Sequence, residues 1–307
     1  MKDRQRVILD CDPGVDDAIA ILLALASPEI ELIGITCVAG NKDLSLTAPN
    51  ALRVCAIADR SDVPVHAGCP RPMMGPYHRK WPSVHGADGL CDLDLPGASG
   101  ALADEHGVDF IIRQVRSSPG EISLCVIGPM TNVGLAIVKA PDIVPHIRSI
   151  VFMGGAAFCP GNSSPRAEFN FIVDPEAAEI VMSAGIPLVM LGLDVTNKVQ
   201  IQEQHIAALE RAGNIASTTT AAMLRAYGSN DPCLHDPCAV LYYFAPELFS
   251  GVEAHVQVLN HPLETRGSVV AAVSKRHLDG RKANCLVVTD CKAEELFRHL
   301  TDRLSWL

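Results

Sequence analysis

The chain has 307 residues, a formal net charge of -10 at pH 7 and a hydrophobic fraction of 48%. A chain of this length can bury a core without disulfides or metal ions, and its composition excludes wholesale disorder. The acidic balance argues against a protein that coats nucleic acid, because such proteins need a basic face. Small neutral or cationic ligands are compatible with this charge.

No feature of the sequence predicts insertion into a membrane or export. Every run of about 18 residues contains charged or helix-breaking residues, so we expect no transmembrane helix. The charged segment 1–6 is followed by too short an apolar run for a signal peptide. The eleven cysteines are scattered and form no C-x-x-C pattern, which is typical of reduced thiols rather than of disulfides or a zinc site. We therefore expect a cytoplasmic protein.

Apolar runs typical of strands alternate with helical periodicity through the first half of the chain. Val15, Ile19 and Leu22 recur at spacings of three and four residues, which predicts a helix after the first strand. Alternating strands and helices imply parallel βαβ units with both faces of the sheet covered. We predict strands over residues 6–10, 31–38, 122–127, 149–153 and 187–191, and helices over residues 15–26, 44–58, 104–116, 132–139 and 175–183.

The pattern changes after Asp194, where helical segments and short strand-like runs follow one another. The Pro- and Gly-rich segment 69–100 has no periodicity, which is typical of a lid or a binding loop. We find no linker or repeat, so we expect one domain over residues 1–307. Its fold class is a doubly wound, mainly parallel α/β sheet flanked by helices, with a helical excursion and a few late strands. The late helices are predicted over residues 202–227, 236–244 and 292–304, and the late strands over residues 252–259, 268–273 and 284–288.

Four carboxylates fall within eight residues where the first predicted strand ends and the first helix begins. In open α/β sheets, ligands bind at this edge, outside the carboxyl ends of the strands. The helix dipole favours an acid in the first turn by at most about 1 kcal/mol, too little to keep several converging carboxylates ionised. A bound cation would do so, and an all-oxygen donor set favours Ca²⁺ or Mg²⁺. A solvated helix start is the alternative for these residues, Asp10, Asp12, Asp16 and Asp17.

The segment 10–18, DCDPGVDDA, resembles the signature of the nucleoside hydrolases, the inosine–uridine-preferring nucleoside N-ribohydrolase family. The resemblance spans nearly the whole chain, and several separated motifs in order are far more specific than one short pattern. It implies the fold of that family and hydrolysis of the N-glycosidic bond of purine or pyrimidine ribonucleosides to free base and ribose. The further segments that carry it are residues 38–41, 127–132, 153–155, 161–162, 167–170, 174–178 and 235–239.

The resemblance also implies a set of residues for the chemistry. One Ca²⁺ would be held by Asp12, Asp17, Asp236 and the backbone carbonyl of Ile127. Because Ca²⁺ lowers the pKa of a bound water only in part, a carboxylate base is still needed, and Asp12 is our candidate. His235 would protonate the departing base, a role that suits a side chain titrating near neutral pH.

Hydroxyl groups of the ribose need partners that both donate and accept, which suits amides and carboxylates. The resemblance assigns this contact to Asp16, Asn41, Asn162, Glu168 and Asn170, and it adds Met153 and His85 to the substrate-binding residues. His85 would face the base from the irregular loop. Stacking against the base is assigned to an aromatic residue, for which Tyr227 and Trp81 are the candidates.

Two alternatives remain open on the sequence alone. The pair Asp10-x-Asp12 is similar to that of Mg²⁺-dependent phosphohydrolases of the haloacid dehalogenase type, although Pro13 stands where those enzymes usually have Gly. The second alternative is a family member that binds ribosides without turnover. The resemblance further implies a role in nucleoside catabolism such as purine salvage, a homo-oligomer (dimer or tetramer), and no nucleic-acid or membrane partner.

Overall fold

The computed structural model describes residues 4–75 and 84–307. The strands within these residues form one sheet whose neighbours run parallel until its last members, which pair antiparallel. The strands are β1 (Gln5–Cys11), β2 (Ile30–Cys37), β3 (Val65–Ala67), β4 (Ile122–Val126), β5 (Ser149–Met153), β6 (Leu188–Leu191), β7 (Phe249–Val258), β8 (Val269–Ala272) and β9 (Cys285–Cys291). Their order across the sheet is β3-β2-β1-β4-β5-β6-β9-β7-β8.

Helices cover both faces of this sheet. On one face α1 (Val15–Ala26), which is buried along its whole length, contacts α2 (Leu44–Ile57), α9 (Ile215–Tyr227), α10 (Pro237–Tyr242) and α12 (Ala293–Leu304). On the other face α4 (Thr131–Lys139) contacts α3 (Gly107–Ser117) and α6 (Pro175–Ser183). The predicted doubly wound, mainly parallel α/β class is therefore confirmed. The other α-helices of the described residues are α5 (Phe169–Val173), α7 (Leu193–Thr196), α8 (Glu203–Ala212) and α11 (Lys275–Leu278).

The prediction of one helix over residues 202–227 is wrong. The segment forms two helices, α8 and α9, separated by Gly213 in the left-handed region at φ 76°. Asn214 then begins α9, because its side-chain oxygen accepts a hydrogen bond from the N–H of Ser217 at 2.7 Å. A left-handed Gly followed by an Asn N-cap is a common way to end one helix and begin another.

The order of the strands brings the loops that follow β1, β2, β4 and β5 to one edge of the sheet. Asp10, near the end of β1, joins these elements, because its Oδ1 accepts hydrogen bonds from Thr36 Oγ1 on β2 and from Asn132 Nδ2 on α4. This edge is where an open α/β sheet binds its ligand. Among the helices of the described residues, none is long and apolar enough to cross a membrane.

Candidate active site

A cavity of about 340 Å³ opens at the carboxyl edge of the sheet. Loops after β1, β2, β4 and β5 supply one part of its wall, and the segment between α9 and α10 supplies another. Most of the residues singled out from the sequence lie in this wall. It is lined by Asp16, Asn41, Val84, His85, Ile127, Met153, Asn162, Ser163, Glu168, Phe169, Asn170, Tyr227, Asn230, Asp231, His235 and Asp236.

The floor beneath the cavity is the acidic turn between β1 and α1. Asp17 closes this turn, because its carboxylate accepts hydrogen bonds from the N–H of Asp12 at 3.0 Å and of Gly14 at 2.9 Å. Asn41 binds the same turn: its side chain donates to Asp17 Oδ2 at 3.1 Å, and its N–H donates to Asp12 Oδ2. The fully buried side chains of Asp12 and Asp17 are thereby fixed below the wall residues.

Close packing around Asp12 depends on glycine. A Cβ atom on Gly40 would lie 2.1 Å from Oδ2 of Asp12, and one on Gly128 would lie 2.6 Å from Oδ1. Both glycines follow strands of the sheet, so the carboxylate is held between two backbone segments that no other residue type could supply at this distance.

The carboxylates of the floor repel one another. Oxygens of Asp16, Asp17 and Asp236 lie within 4.8 Å of one another. Burial, and after it the charge of neighbouring carboxylates, raises the pKa of Asp12 and Asp236 well above the usual range and that of Asp16 to about 7. Within the described residues, neither Oδ1 of Asp12 nor Oδ1 of Asp16 accepts a hydrogen bond.

This arrangement fits a hard divalent cation. Buried carboxylates that repel one another and keep unpartnered oxygens are costly to ionise without a positive charge between them. All of the donors are oxygens, which hard cations such as Ca²⁺ and Mg²⁺ prefer. The cluster gathers Asp17 and Asp236, which the sequence predicted as ligands, and adds Asp16, which was predicted to bind ribose.

Glu168 and Asn170 shape the wall on the β4–β5 side. The Glu168 carboxylate begins α5 and accepts hydrogen bonds from the N–H groups of Gly155 at 2.9 Å, Asn170 at 2.8 Å and Phe171 at 3.1 Å. Asn170 Nδ2 donates to the carbonyl of Ile127 at 2.8 Å and to that of Met153 at 3.2 Å. The Ile127 carbonyl, predicted to face the cation, is thus oriented by a neighbouring wall residue.

His235 also lines the cavity, between two side chains that the sequence did not indicate as functional. Its Nδ1 lies 2.8 Å from Oγ1 of Thr196, and its Nε2 lies 3.3 Å from Oδ2 of Asp231. Burial lowers the pKa of His235, but the hydrogen bond and charge of Asp231, with the charges of Asp16 and Glu168, outweigh burial and raise it. The protonated form of this imidazole is therefore more favourable than it is in a free histidine.

His85 lines the cavity from the loop that begins at residue 84. Its Nδ1 accepts a hydrogen bond from the N–H of Val15 at 3.1 Å, and its ring stacks on Tyr227 with centroids 5.4 Å apart. Asn50 on α2 holds the same loop, because its side chain donates to the carbonyls of Asp88 at 2.9 Å and Pro13 at 3.3 Å. The loop is therefore tied to the acidic turn. Trp81, the other predicted aromatic partner of the base, lies outside the described residues.

Comparison with known proteins identifies the family. A model of the inosine-uridine preferring nucleoside hydrolases matches residues 7–298. The chain belongs to this family. It is an enzyme that hydrolyses N-glycosyl bonds, as the sequence predicted, and the family assignment argues against the alternative of a phosphohydrolase of the haloacid dehalogenase type.

Relatives of several kinds resemble this nucleoside hydrolase over nearly its whole length. It is 41% identical to a pyrimidine-specific ribonucleoside hydrolase of Salmonella arizonae, with 98% of each chain covered. It is 40% identical to an uncharacterized protein of Schizosaccharomyces pombe, with 98% of this chain and 99% of that one covered. Among solved structures, a purine-preferring ribonucleoside hydrolase from Gardnerella vaginalis superposes with a TM-score of 0.91 at 32% identity, with 98% of each chain covered.

Proposed function

We propose that this enzyme hydrolyses the N-glycosidic bond of ribonucleosides (purine, pyrimidine or both) to free base and ribose in a Ca²⁺-dependent reaction. The observation that carries the proposal is the cluster of buried, mutually repelling carboxylates beneath a cavity whose walls are rich in amide and carboxylate groups. Asp12, Asp17, Asp236 and the carbonyl of Ile127 would hold the ion. When bound, Ca²⁺ would orient a water molecule and lower its pKa in part.

Ca²⁺ is favoured over Mg²⁺ by the number and kind of the donors. Ca²⁺ accepts six to eight oxygens in a flexible arrangement, whereas Mg²⁺ demands near-octahedral geometry and retains most of its water. The floor offers several carboxylates and a backbone carbonyl, and hydroxyl groups of a ribose would complete such a set.

Asp12 is the proposed base for the attacking water. Its Oδ1 accepts no hydrogen bond within the described residues, so it can take a proton, while the N–H of Asn41 holds Oδ2 in place. As the N-glycosidic bond breaks, positive charge develops on the ribose ring, as in glycoside hydrolysis. The negative charges of Asp16 and Glu168 would stabilise that charge. The ribose hydroxyls would be bound by Asp16, Asn41, Asn162, Glu168 and Asn170.

His235 is the proposed acid for the departing base. The raised pKa keeps its imidazole protonated at higher pH, and its ring lines the cavity, which supports a role in protonating the base. Met153, His85 and Tyr227 would contact the substrate around it. Three further expectations stay predictions. They are that the enzyme forms a dimer or tetramer, that residues 1–307 form one domain and that the enzyme works in the cytoplasm.

Ribose release tests this function directly. The purified protein is incubated with inosine, uridine, adenosine, cytidine and guanosine, after chelation and after addition of Ca²⁺ or Mg²⁺. We expect ribose to appear with Ca²⁺, and chelation to abolish its release. Full activity after rigorous chelation would contradict the proposed dependence on Ca²⁺. Tight nucleoside binding without ribose release would support the non-catalytic alternative.

A variant ties the metal to the carboxylate cluster. Asp17→Ala should lose Ca²⁺ binding, measured by calorimetry, and nearly all ribose release, because it removes one ligand and opens the turn between β1 and α1. Asp142→Asn is the matched control: this exposed carboxylate pairs with Arg116 on the surface, and its loss should leave both properties unchanged.

A further inference from the structure

Asp231 is a wall residue whose place in the cavity is not explained by ion binding or by the ribose. Its N–H donates to the carbonyl of Tyr227 at 3.0 Å, and its carboxylate reaches His235. Tyr227 in turn stacks on His85. Tyr227 and His235, which contact Asp231 directly, are the residues assigned to the base, so in the proposed arrangement Asp231 also stands beside the base.

The carboxylate of Asp231 retains acceptor capacity toward the cavity. Oδ1 accepts a hydrogen bond from the N–H of Cys233 at 3.1 Å, and Oδ2 meets Nε2 of His235 at 3.3 Å. The side chain of Tyr227 also hydrogen-bonds this carboxylate. A carboxylate offers about four lone-pair sites, so three donors do not saturate it. The side chain is 27% exposed although its neighbour His235 is only 6% exposed, which leaves part of the carboxylate open to a ligand.

Asp231 stays ionised in this setting. Burial opposes ionisation, but the hydrogen bond and charge of His235 outweigh it and lower the pKa of Asp231. An ionised carboxylate can only accept hydrogen bonds. Asn230 beside it also lines the cavity, but an amide both donates and accepts and can therefore pair with any base edge.

On these grounds we propose that Asp231 is a specificity-determining residue that accepts a hydrogen bond from a ring N–H of the base. The inference rests on the proposed function and deepens it. Uracil and hypoxanthine carry such an N–H between or beside their carbonyl groups. Cytosine and adenine carry a nitrogen lone pair at the equivalent position, which would face the carboxylate without a proton. The enzyme should therefore favour uridine over cytidine and inosine over adenosine.

Methylated nucleosides test the hydrogen bond itself. The wild-type enzyme should hydrolyse 3-methyluridine and 1-methylinosine with kcat/KM about 10- to 100-fold lower than uridine and inosine, the range expected for a lost hydrogen bond to a charged group. In Asp231→Ala this methyl penalty should nearly vanish, because the acceptor is gone. In Asn230→Ala, the neighbouring control, the penalty should persist.

A second variant separates hydrogen bonding from space. Asp231→Asn keeps the volume of the side chain but adds donors, so the ratio of uridine to cytidine turnover should fall about tenfold toward parity. If Asp231→Ala acted only by relieving steric crowding, Asp231→Asn, which keeps the side-chain volume, would leave the ratio of uridine to cytidine turnover unchanged. Hydrolysis of a nitrophenyl riboside, whose leaving group has no ring N–H, reports that each variant is folded.

The outcomes divide clearly. A methyl penalty that is absent from the wild type, or that survives in Asp231→Ala, would overturn the inference while leaving nucleoside hydrolysis intact. An unchanged uridine to cytidine ratio in Asp231→Asn would also overturn it. Absence of ribose release from every nucleoside tested with wild-type enzyme would contradict the proposed function itself.

Discussion

The two proposed proton-transfer residues belong to different parts of the site. Asp12 lies in the acidic turn, and its buried Oδ1 accepts no hydrogen bond from residues 4–75 and 84–307. His235 lies in the wall between Thr196 and Asp231, which engage both of its ring nitrogens. Because one residue would act on the attacking water and the other on the departing base, their removal should affect different substrates differently.

Substitution of these residues can therefore separate their roles. Asp12→Asn should abolish hydrolysis of every substrate, since the water loses its base whatever group departs. His235→Ala should slow purine nucleosides by roughly 10²–10⁴-fold, the range typical of general acid catalysis. A nitrophenyl riboside leaves as a stable anion and should be hydrolysed nearly as fast by His235→Ala as by the wild type. Steady-state kinetics with inosine and the nitrophenyl riboside measure both effects.

Equal losses on both substrates in His235→Ala would show that the residue acts through structure, for example by fixing the neighbouring Asp236. The proton donor would then be sought elsewhere, with His85 as the next candidate.

Sequence patterns could locate residues that share a local motif but not those that meet only through tertiary packing. Asp16 and Asp17 lie side by side at a helix start, so their clustering is visible in the chain itself. Thr196 lies 39 positions from His235, and only the packing of α7 against the segment before α10 brings their side chains together. Asp231 lies only four residues before His235, but this spacing alone predicts no function. Its role becomes visible only when both residues are seen to line the same cavity.

At the scale of an element, the turn after β2 controls how closely the backbone approaches Asp12. Gly40→Ala would place a methyl group 2.1 Å from Asp12 Oδ2 and 2.9 Å from Pro129 Cδ. The carboxylate must move, and displacement of a catalytic group by about 1 Å can cost about 10²-fold in rate. We expect a loss of that order in kcat, measured with uridine or inosine, with the far-ultraviolet circular dichroism unchanged.

Gly97→Ala is the matched control for this substitution. No atom of residues 4–75 and 84–307 lies within 4 Å of a Cβ built on Gly97, and its φ lies outside the left-handed region, so activity should be retained. Full activity of Gly40→Ala would show that the position of Asp12 is not critical.

Elements with a strong periodic pattern were predictable, whereas elements defined by a single residue or a very short run were not. The longer buried parallel strands, such as β4, read as apolar runs and were predicted from the sequence. The strand β3 has three residues, too few for a pattern, and was missed. The break between α8 and α9 depends on the left-handed conformation of Gly213. The spacing of apolar residues on either side of this glycine does not predict that conformation.

At the scale of the whole molecule, the carboxylates of the active site lower the stability of the folded state when no cation is bound. The enzyme carries a net charge of -10, and it buries Asp12, Asp16, Asp17 and Asp236 together at the edge of its central sheet. Buried charges without a partner are destabilising. The helix α1, which begins in this cluster, packs against four other helices, so the cost is shared by the core and not confined to a loop.

Binding of Ca²⁺ should therefore raise the thermal stability of the entire chain. A ligand that binds only the folded state at about 100 times its Kd contributes about 2.7 kcal/mol, which for a protein of this size corresponds to a rise in Tm of roughly 4 °C. Differential scanning calorimetry of the chelated protein, with and without added Ca²⁺, measures this shift.

Asp236→Asn keeps the shape of the side chain but removes one charge of the cluster, so it should lose most of the response to Ca²⁺. Asp290→Asn, in which an exposed carboxylate loses its pairing with Lys198, should retain the full response. An equal rise in Tm in wild type and Asp236→Asn would place the ion elsewhere on the surface, and no rise at saturating Ca²⁺ would contradict a cation site in the core of the enzyme.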